Sequence, residues 1–198
     1  MTMKMIKYGM ALLISVALTV DITKSQSSNN AYSVDRFTTG LSPDVELRTS
    51  GGSISVIGHD ESEVRIEMFV RRGSSYLFPD DTDLSDFEIV IEQDGNKITA
   101  LASRESSGIS FLWGGRNESI SFRAYVPHNS MVNGSTSGGS VSAENIYNGL
   151  TLSTSGGSVK VHNIQGNIDL RTSGGSIQIE DASGEINART SGGSVTIN

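Results

Sequence analysis

The sequence predicts an all-β protein built as a parallel β-solenoid with 18-residue coils. The motif TSGGS begins at Thr136, Thr154, Thr172 and Thr190, with a constant spacing of 18 residues. Apolar residues recur at fixed offsets from each threonine, in pairs two residues apart, which is the period of a strand with one buried face. A short strand–turn–strand unit cannot bury that face alone, but it can do so by stacking on its neighbours.

Each repeat supplies two strands, and their apolar positions predict four columns of core residues. These columns are Val141, Val159, Ile177 and Val195; Ala143, Val161, Ile179 and Ile197; Leu150, Ile168 and Ile186; and Leu152, Leu170 and Ala188. Asn145, Asn163 and Asp181 are typical of the turn between the two strands.

The TSGGS motif itself predicts a corner of the chain. Its threonine should point inward, because it follows an inward residue by two positions. We expect the paired glycines to bend the chain through positive φ, which glycine reaches without a Cβ clash. The flanking serines should stack as ladders that satisfy backbone groups at the corner.

An earlier copy, RTSGGSI at Arg48 to Ile54, predicts a first coil in the same frame. The period is then lost between residues 58 and 130, where alternating runs predict longer strands that cap or widen this end. Phe87 to Ala102 predicts a hairpin around Asp94 and Gly95. Ser74 to Asp86 is typical of a surface loop.

The N-terminus has the layout of a secretory signal peptide. Lys4 and Lys7 precede an apolar run from Ala11 to Val20, which is shorter than the roughly 20 residues of a membrane span. We therefore predict a signal peptide over 1–27, a flexible lead-in over 28–40 and one domain over 41–198, with a non-repeat region over 58–130 and regular repeats over 131–198. The alternative for the apolar run is a short buried helix or a tilted anchor.

Composition narrows the classes of partner. Removing the leader takes away three lysines and one aspartate, so that the formal net charge of −7 becomes −9. Such an acidic chain favours neither nucleic acid nor an anionic membrane surface. The chain has no cysteine, which excludes disulfides and thiolate metal sites.

The order of parts resembles a family of bacterial β-strand-repeat proteins, a domain of unknown function labelled "putative adhesin". The motifs that carry the resemblance are LRTSGGSISV followed by Gly58, VRIEMFV, FRAYVPHNS and the tandem TSGGS array. It covers about Asp35 to Asn198. The resemblance implies a right-handed β-helix or β-roll in an exported or envelope-associated protein, and it brings no catalytic residues.

The sequence offers little to support catalysis. His59, His128 and His162 show no metal-ligand spacing, and no G-x-S-x-G elbow marks a nucleophile. We therefore predict no enzyme activity, no catalytic residue, no metal and no cofactor. The run Asp80, Asp81, Asp83 and Asp86 is expected to be a solvated loop, with a weak calcium site as the alternative.

Four residues are candidates for binding. Arg171 and Arg189 share an outward position, with Asp169 two residues before Arg171, and together they predict a stripe that could hold an anionic glycan. The alternative is a row of surface residues with loosely paired charges. Trp113, the single tryptophan, could bind sugars or proteins from a loop tip, or could instead close the end of the core.

We therefore expect a non-enzymatic structural or binding module of the bacterial cell envelope. It would be exported to the periplasm, to the cell surface or out of the cell, with a glycan or an envelope protein as partner and no integral span after leader removal. Two alternatives stay open. One is a polysaccharide-acting β-helix enzyme, and the other is a solenoid that stacks end to end through an open strand edge.

Overall fold

The computed structural model describes residues 30–104 and 118–198, and within these ranges every regular element is a β-strand. The strands form two sheets, one of nine strands and one of seven. Most neighbouring strands are parallel, and the antiparallel pairs lie toward one end of each sheet. Within the described ranges, no helix has the length and hydropathy that crossing a membrane requires.

The nine-stranded sheet contains the strand that follows each TSGGS corner. Its strands are β1 (Ser33–Thr38), β3 (Ile54–His59), β4 (Glu63–Arg72), β5 (Ser75–Leu77), β8 (Glu118–Pro127), β10 (Val141–Ile146), β12 (Val159–Gln165), β14 (Ile177–Ser183) and β16 (Val195–Ile197). The order is β1-β4-β8-β3-β10-β12-β14-β16, with β5 beside β4. The pairs from β8 to β16 are parallel, whereas β4 is antiparallel to β1, β5 and β8.

The seven-stranded sheet contains the strand that precedes each corner. Its strands are β2 (Asp44–Thr49), β6 (Phe87–Asp94), β7 (Lys97–Arg104), β9 (Met131–Thr136), β11 (Gly149–Thr154), β13 (Asn167–Thr172) and β15 (Ile186–Thr190). The order is β15-β13-β11-β9-β2-β7-β6. Only β6 and β7 pair antiparallel, as the hairpin predicted around Asp94 and Gly95, and this hairpin is confirmed.

From β9 onward the chain alternates between the two sheets. We call one strand of the seven-stranded sheet, its corner and the next strand of the nine-stranded sheet a layer. Neighbouring layers pair in parallel with an offset of 18 residues, so that Val159 faces Ile177 and Ile177 faces Val195. The predicted column of these three residues is therefore confirmed by the register.

Inward side chains from both sheets form one hydrophobic core. Leu152, Leu170, Val161 and Ile179 are fully buried, as the alternation predicts. The last predicted members of two columns are not buried: Val195 is 42 % exposed and Ile197 is 61 % exposed. Both belong to β16, which among the described strands has a neighbour on one side only.

The predicted turn positions between the two strands of a repeat differ from the prediction. Asn145, Asn163 and Asp181 lie within β10, β12 and β14, although their φ angles are 61°, 53° and 52°. A left-handed residue interrupts the alternation of side chains, so the next residue turns inward. Ile146 and Ile164, which the repeat pattern did not place in the core, are therefore completely buried.

The TSGGS corner confirms one expectation and corrects another. The threonines point inward, with Thr154 only 5 % exposed. None of the corner glycines in the described chain has positive φ, so the predicted reason for glycine was wrong. A Cβ on Gly157 would instead overlap the carbonyl oxygen of Gly139 in the preceding layer, and a Cβ on Gly175 would overlap that of Gly157. Glycine is needed here because successive backbones approach closely.

The first copy lies inside the stack of layers. Its strand β2 pairs with β7 on one side and β9 on the other, so that Val45 faces both Ile98 and Val132. Its strand β3 likewise lies between β8 and β10. Strands β4 to β8 therefore extend both sheets beyond the first copy, with the longer strands and the hairpin that were predicted there. Within the predicted loop over 74–86, Ser75–Leu77 instead forms strand β5.

Candidate functional site

The outward face of the seven-stranded sheet carries a column of arginines and serines. Parallel pairing places Arg48, Ser135, Ser153, Arg171 and Arg189 side by side in this order. We call these residues the Arg–Ser column. It brings Arg171 and Arg189 together on adjacent strands, about 4.8 Å apart along the stack, while two serines separate them from Arg48.

Asp169 lies beside this column and fixes one of its arginines. Its Oδ2 accepts a hydrogen bond of 2.7 Å from Nη2 of Arg171 and another of 3.2 Å from Nδ2 of Asn187. The Arg171 side chain nevertheless remains 58 % exposed. Asp169 therefore orients Arg171 without removing it from solvent, and an exposed pair of this kind adds little to stability.

The same acid–arginine spacing recurs at the other end of the column. Glu46, two residues before Arg48, pairs with Nη2 of Arg48 at 2.6 Å and with Nζ of Lys97 at 2.8 Å. The hydrogen bond from Lys97 is the main cause that lowers the pKa of Glu46, and Arg48 adds to it, while partial burial opposes the change. The same hydrogen bond raises the pKa of Lys97. Glu46 is therefore a stable carboxylate at neutral pH.

A shallow, solvent-open groove of about 830 Å³ runs along the Arg–Ser column at the corner of the layers. Its walls include Ser135, Ser153, Arg171 and Arg189. They offer hydroxyl groups and guanidinium donors, while Ala188 and Val195 add apolar surface to the same groove. This chemistry suits an extended, hydroxyl-rich or anionic chain lying across several layers.

The sequence also singled out Trp113 and the acidic run over residues 80–86. Trp113 lies outside the described residues, as does the predicted leader over 1–27. Two carboxylates of the acidic run accept hydrogen bonds from their own loop: Asp81 accepts from the backbone N of Phe78 at 2.9 Å, and Asp83 accepts from both N and Oγ of Ser85 at 2.9 Å.

Two of the three histidines are neighbours, since the backbone N of His128 donates to the carbonyl oxygen of His59 at 3.0 Å, while His162 lies on β12. Nδ1 of His59 accepts from the backbone N of Glu61 at 2.9 Å. The ring of His128 stacks on Tyr147 with centroids 4.7 Å apart, and Nδ1 of His162 lies 3.5 Å from Oδ2 of Asp181. Within 30–104 and 118–198, no group of three or more histidines and acids is arranged to hold a metal ion.

The sequence reasoning missed a second cluster, on the outward face of the nine-stranded sheet. Arg71 of β4, Tyr76 of β5 and Arg123 of β8 line one pocket there. These residues come from the region without a repeat, and their neighbourhood depends on antiparallel pairing of β4 with both β5 and β8. No spacing in the sequence signals that arrangement.

Comparisons with known proteins add little. No protein-family model matches the chain, and no curated protein is similar to it. A crystal structure of a "putative cell adhesion protein" from Clostridium sporogenes has 11 % identity and a TM-score of 0.48, and the match covers 83 % of this chain and 98 % of that one. A "putative adhesin" from Parabacteroides merdae has 10 % identity and a TM-score of 0.22, with 85 % and 97 % covered. Neither similarity is high enough to support a conclusion about this chain.

Proposed function

We propose that the chain is a right-handed β-solenoid of 18-residue coils that acts as a non-enzymatic binding or structural module of the bacterial cell envelope. The register of 18 residues between successive layers and the shared core support the architecture. The leader-like N-terminal sequence supports export to the periplasm, the cell surface or the medium. The order of motifs supports membership of the family with the adhesin label.

The partner of this module is an extended glycan with acidic groups, bound along the Arg–Ser column. The observation that carries this proposal is the pairing of Arg171 and Arg189 on adjacent strands, with Asp169 holding Arg171 in place. Guanidinium groups bind carboxylate or sulfate oxygens through paired N–H donors. The serines of the same column can donate to sugar hydroxyl groups, and the groove is open along its length.

Glycan-array binding and pull-down on isolated cell walls test this proposal. The double variant Arg171→Gln, Arg189→Gln should lose binding to acidic glycans, and binding by the native chain should weaken as salt is added. Arg36→Gln is the matched control, because Arg36 is an exposed arginine paired with Glu63 on the other sheet. Trp113→Ala tests the aromatic candidate separately. An unchanged profile for the double variant would exclude the Arg–Ser column as the binding site.

The same preparations distinguish the binding module from a polysaccharide-acting enzyme. Glycoside hydrolysis requires two carboxylates at a defined separation. On the outward face, Glu46 and Asp169 lie in one row, but the strands β9 and β11 stand between them. We expect bound polysaccharide to be recovered at its original length. The release of new reducing ends would contradict the non-enzymatic proposal.

End-to-end association is a second candidate function, and one observation favours it. The inward columns end at β16 with Val195 and Ile197 exposed, and both β15 and β16 have one unpaired strand edge in the described chain. A second copy could continue both sheets by parallel stacking. Light scattering over a range of concentrations tests this: growth of the scattering mass supports stacking, and a constant monomer mass at high concentration rules it out.

A further inference from the structure

The nine-stranded sheet carries a pocket that is separate from the Arg–Ser column. Its outward-facing residues come from four neighbouring strands, and it has a volume of about 200 Å³. The residues that carry the argument are Ser55 of β3, Phe69 and Arg71 of β4, Tyr76 of β5, and Ser121 and Arg123 of β8. We call this the aromatic–arginine pocket. A cavity of this size is below the range of drug-sized sites, so it fits one small ring.

Backbone pairing builds the pocket. In the antiparallel register Phe69 faces Ser121 and Arg71 faces Tyr76, while the parallel register puts Ser55 opposite Arg123. The short turn at Gly73, with φ of 61°, returns the chain so that β5 lies against β4. The site therefore forms where the antiparallel extension meets the parallel layers.

Aromatic rings make one wall of the pocket. Phe69 and Tyr76 meet edge to face, with ring centroids 6.1 Å apart. Phe69 is only 8 % exposed, whereas Tyr76 is 39 % exposed. Tyr76 thus offers an accessible, rigid face on which a ring with an apolar side can stack, and Phe69 supports it from beneath.

Two arginines lie over these rings. The guanidinium of Arg71 is 5.0 Å from the ring centroid of Tyr76, and that of Arg123 is 5.1 Å from that of Phe69. Stacking of this kind fixes the planar guanidinium groups in position. Nη2 of Arg71 donates to the carbonyl of Ser74 at 3.3 Å, while its Nε is buried and makes no hydrogen bond to any described residue. A guanidinium has five N–H donors, so the groups on the two Nη atoms that do not bond Ser74 are the ones that a bound anion would use.

Local charge favours an anion in spite of the acidic chain. The buried carboxylate of Glu67 contacts Arg65 at 3.6 Å and Arg123 at 3.5 Å. Two arginines therefore face this one carboxylate, whereas the whole protein has a net charge of −7. The described residues that line the pocket include two arginines and no acid.

Hydroxyl groups complete the pocket and narrow the class of ligand. Oγ of Ser121 accepts a hydrogen bond from the backbone N of Ser53 at 3.0 Å, which fixes this hydroxyl in the wall, and Ser55 adds a second. A flat aromatic acid would leave these hydroxyls without partners, while a sugar ring would pair with them. We propose that the aromatic–arginine pocket binds a single carboxylate-bearing sugar, with the ring on Tyr76 and the carboxylate at Arg71 and Arg123.

Titration with glucuronate, followed by the amide signals of Ser53, Ser55 and Ser121 in NMR spectra, tests this proposal. Glucose and acetate are the comparison probes, since each presents one half of the ligand. Glucose lacks the carboxylate and loses the hydrogen-bonded charge pair, so it should bind at least about tenfold more weakly than glucuronate. Acetate keeps the carboxylate but lacks the ring that stacks on Tyr76, so it should also bind more weakly. Equal binding of glucose, or equal binding of acetate, would overturn the proposal.

Variants locate the site and separate it from the groove on the other sheet. Arg71→Gln and Tyr76→Ala should each weaken glucuronate binding, the former by about tenfold or more. Tyr76→Phe keeps the ring and should retain binding, and Arg36→Gln should have no effect. If Arg71→Gln does not fold by circular dichroism, Arg123→Lys serves instead, because it keeps the charge but loses the planar fork. Glucuronate binding that survives both the arginine and the Tyr76→Ala changes would exclude this pocket.

The variant Arg171→Gln, Arg189→Gln distinguishes failure of this proposal from failure of the proposed function. It replaces the two adjacent arginines of the Arg–Ser column and leaves the aromatic–arginine pocket intact. It should therefore lose binding to acidic polymers but keep binding to glucuronate. Loss of glucuronate in this variant would place the acidic sugar at the column and contradict the separate pocket.

Discussion

Thr172 donates a hydrogen bond from Oγ1 to the carbonyl oxygen of Gly157, 2.7 Å away in the preceding layer. The same hydroxyl accepts from the backbone N of Gly175, in its own layer, at 3.2 Å. Thr154 and Thr190 make the equivalent bonds to Gly139 and Gly175, also at 2.7 Å. The inward threonine therefore joins successive corners, a role that an aliphatic residue of the same shape cannot take.

Replacing this hydroxyl should destabilise the protein more than its size suggests. Thr172→Val keeps the volume but leaves the carbonyl of Gly157 and the N–H of Gly175 without their partner, at a cost of about 1–3 kcal/mol. Thr172→Ser keeps the hydroxyl and is the matched control, with a smaller loss. Urea unfolding measures both. A valine variant as stable as the native chain would show that the hydroxyl bonds add nothing.

The two glycines of one corner should respond differently to alanine. A Cβ on Gly52 would overlap the backbone carbonyl of Ile120, whereas a Cβ on Gly51 would meet nothing within 4 Å. Gly52→Ala should therefore lower the free energy of unfolding by about 1–3 kcal/mol or more. Gly51→Ala should be neutral or stabilise by about 0.4–1 kcal/mol, since it restricts the unfolded chain. Thermal unfolding of the two variants decides this, and equal effects would contradict the close-approach explanation.

Two substitutions of the left-handed Asn163 should separate the contributions of its side chain and of its backbone conformation to stability. Nδ2 of Asn163 donates to Oδ1 of Asn145 at 2.7 Å, and Asn163 has a φ of 53°. Nδ2 also donates to Oη of Tyr147 at 3.1 Å. Asn163→Ala loses both hydrogen bonds and strains the backbone, whereas Asn163→Gly loses both bonds without that strain. We expect alanine to be the more destabilising by about 1 kcal/mol. If the glycine variant unfolds at the same denaturant concentration as the alanine variant, the left-handed conformation does not explain why asparagine occupies position 163.

The environment of Glu46 predicts a dependence on pH. Because Lys97 is the main cause of the lowered pKa, Lys97→Gln should raise the pKa of Glu46 toward its ordinary value of 4.5, and Arg48→Gln should raise it less. A carboxyl group with a lowered pKa stabilises the fold above its ordinary pKa, and that contribution is lost as pH falls through the lowered value. NMR titration of the Glu46 carboxyl carbon measures the pKa values. If Arg48→Gln raised the pKa of Glu46 more than Lys97→Gln does, then Arg48 and not Lys97 would be the main cause of the lowered pKa.

The pattern of the sequence was enough to predict the core columns and the register. Alternation with period two selects the inward residues of a strand, and a constant repeat length aligns them between layers. Val159 and Ile177 therefore lie where the repeat puts them. Ile164 was missed because the left-handed Asn163 before it shifts the alternation by one residue, and φ is not visible in the residue type alone.

The candidate sites were predicted less completely, for a related reason. Arg171 and Arg189 could be paired from the sequence because the repeat fixes their relation. Arg71, Tyr76 and Arg123 could not, since their neighbourhood depends on which strands pair outside the repeat. The role of the corner glycines was misjudged as well, because a close approach between layers becomes apparent only when two layers are seen together.

The first copy lies between strands that come later in the sequence, so the order in which strands are synthesised differs from the order in which they lie in the sheets. The ribosome makes β2 and β3 early, but their neighbours β7, β8, β9 and β10 follow only between residues 97 and 146. Until then, both strands of the nascent segment have bare hydrogen-bonding edges. The hydrogen bonds on the two edges of this layer can therefore form only after β7 to β10 have been synthesised.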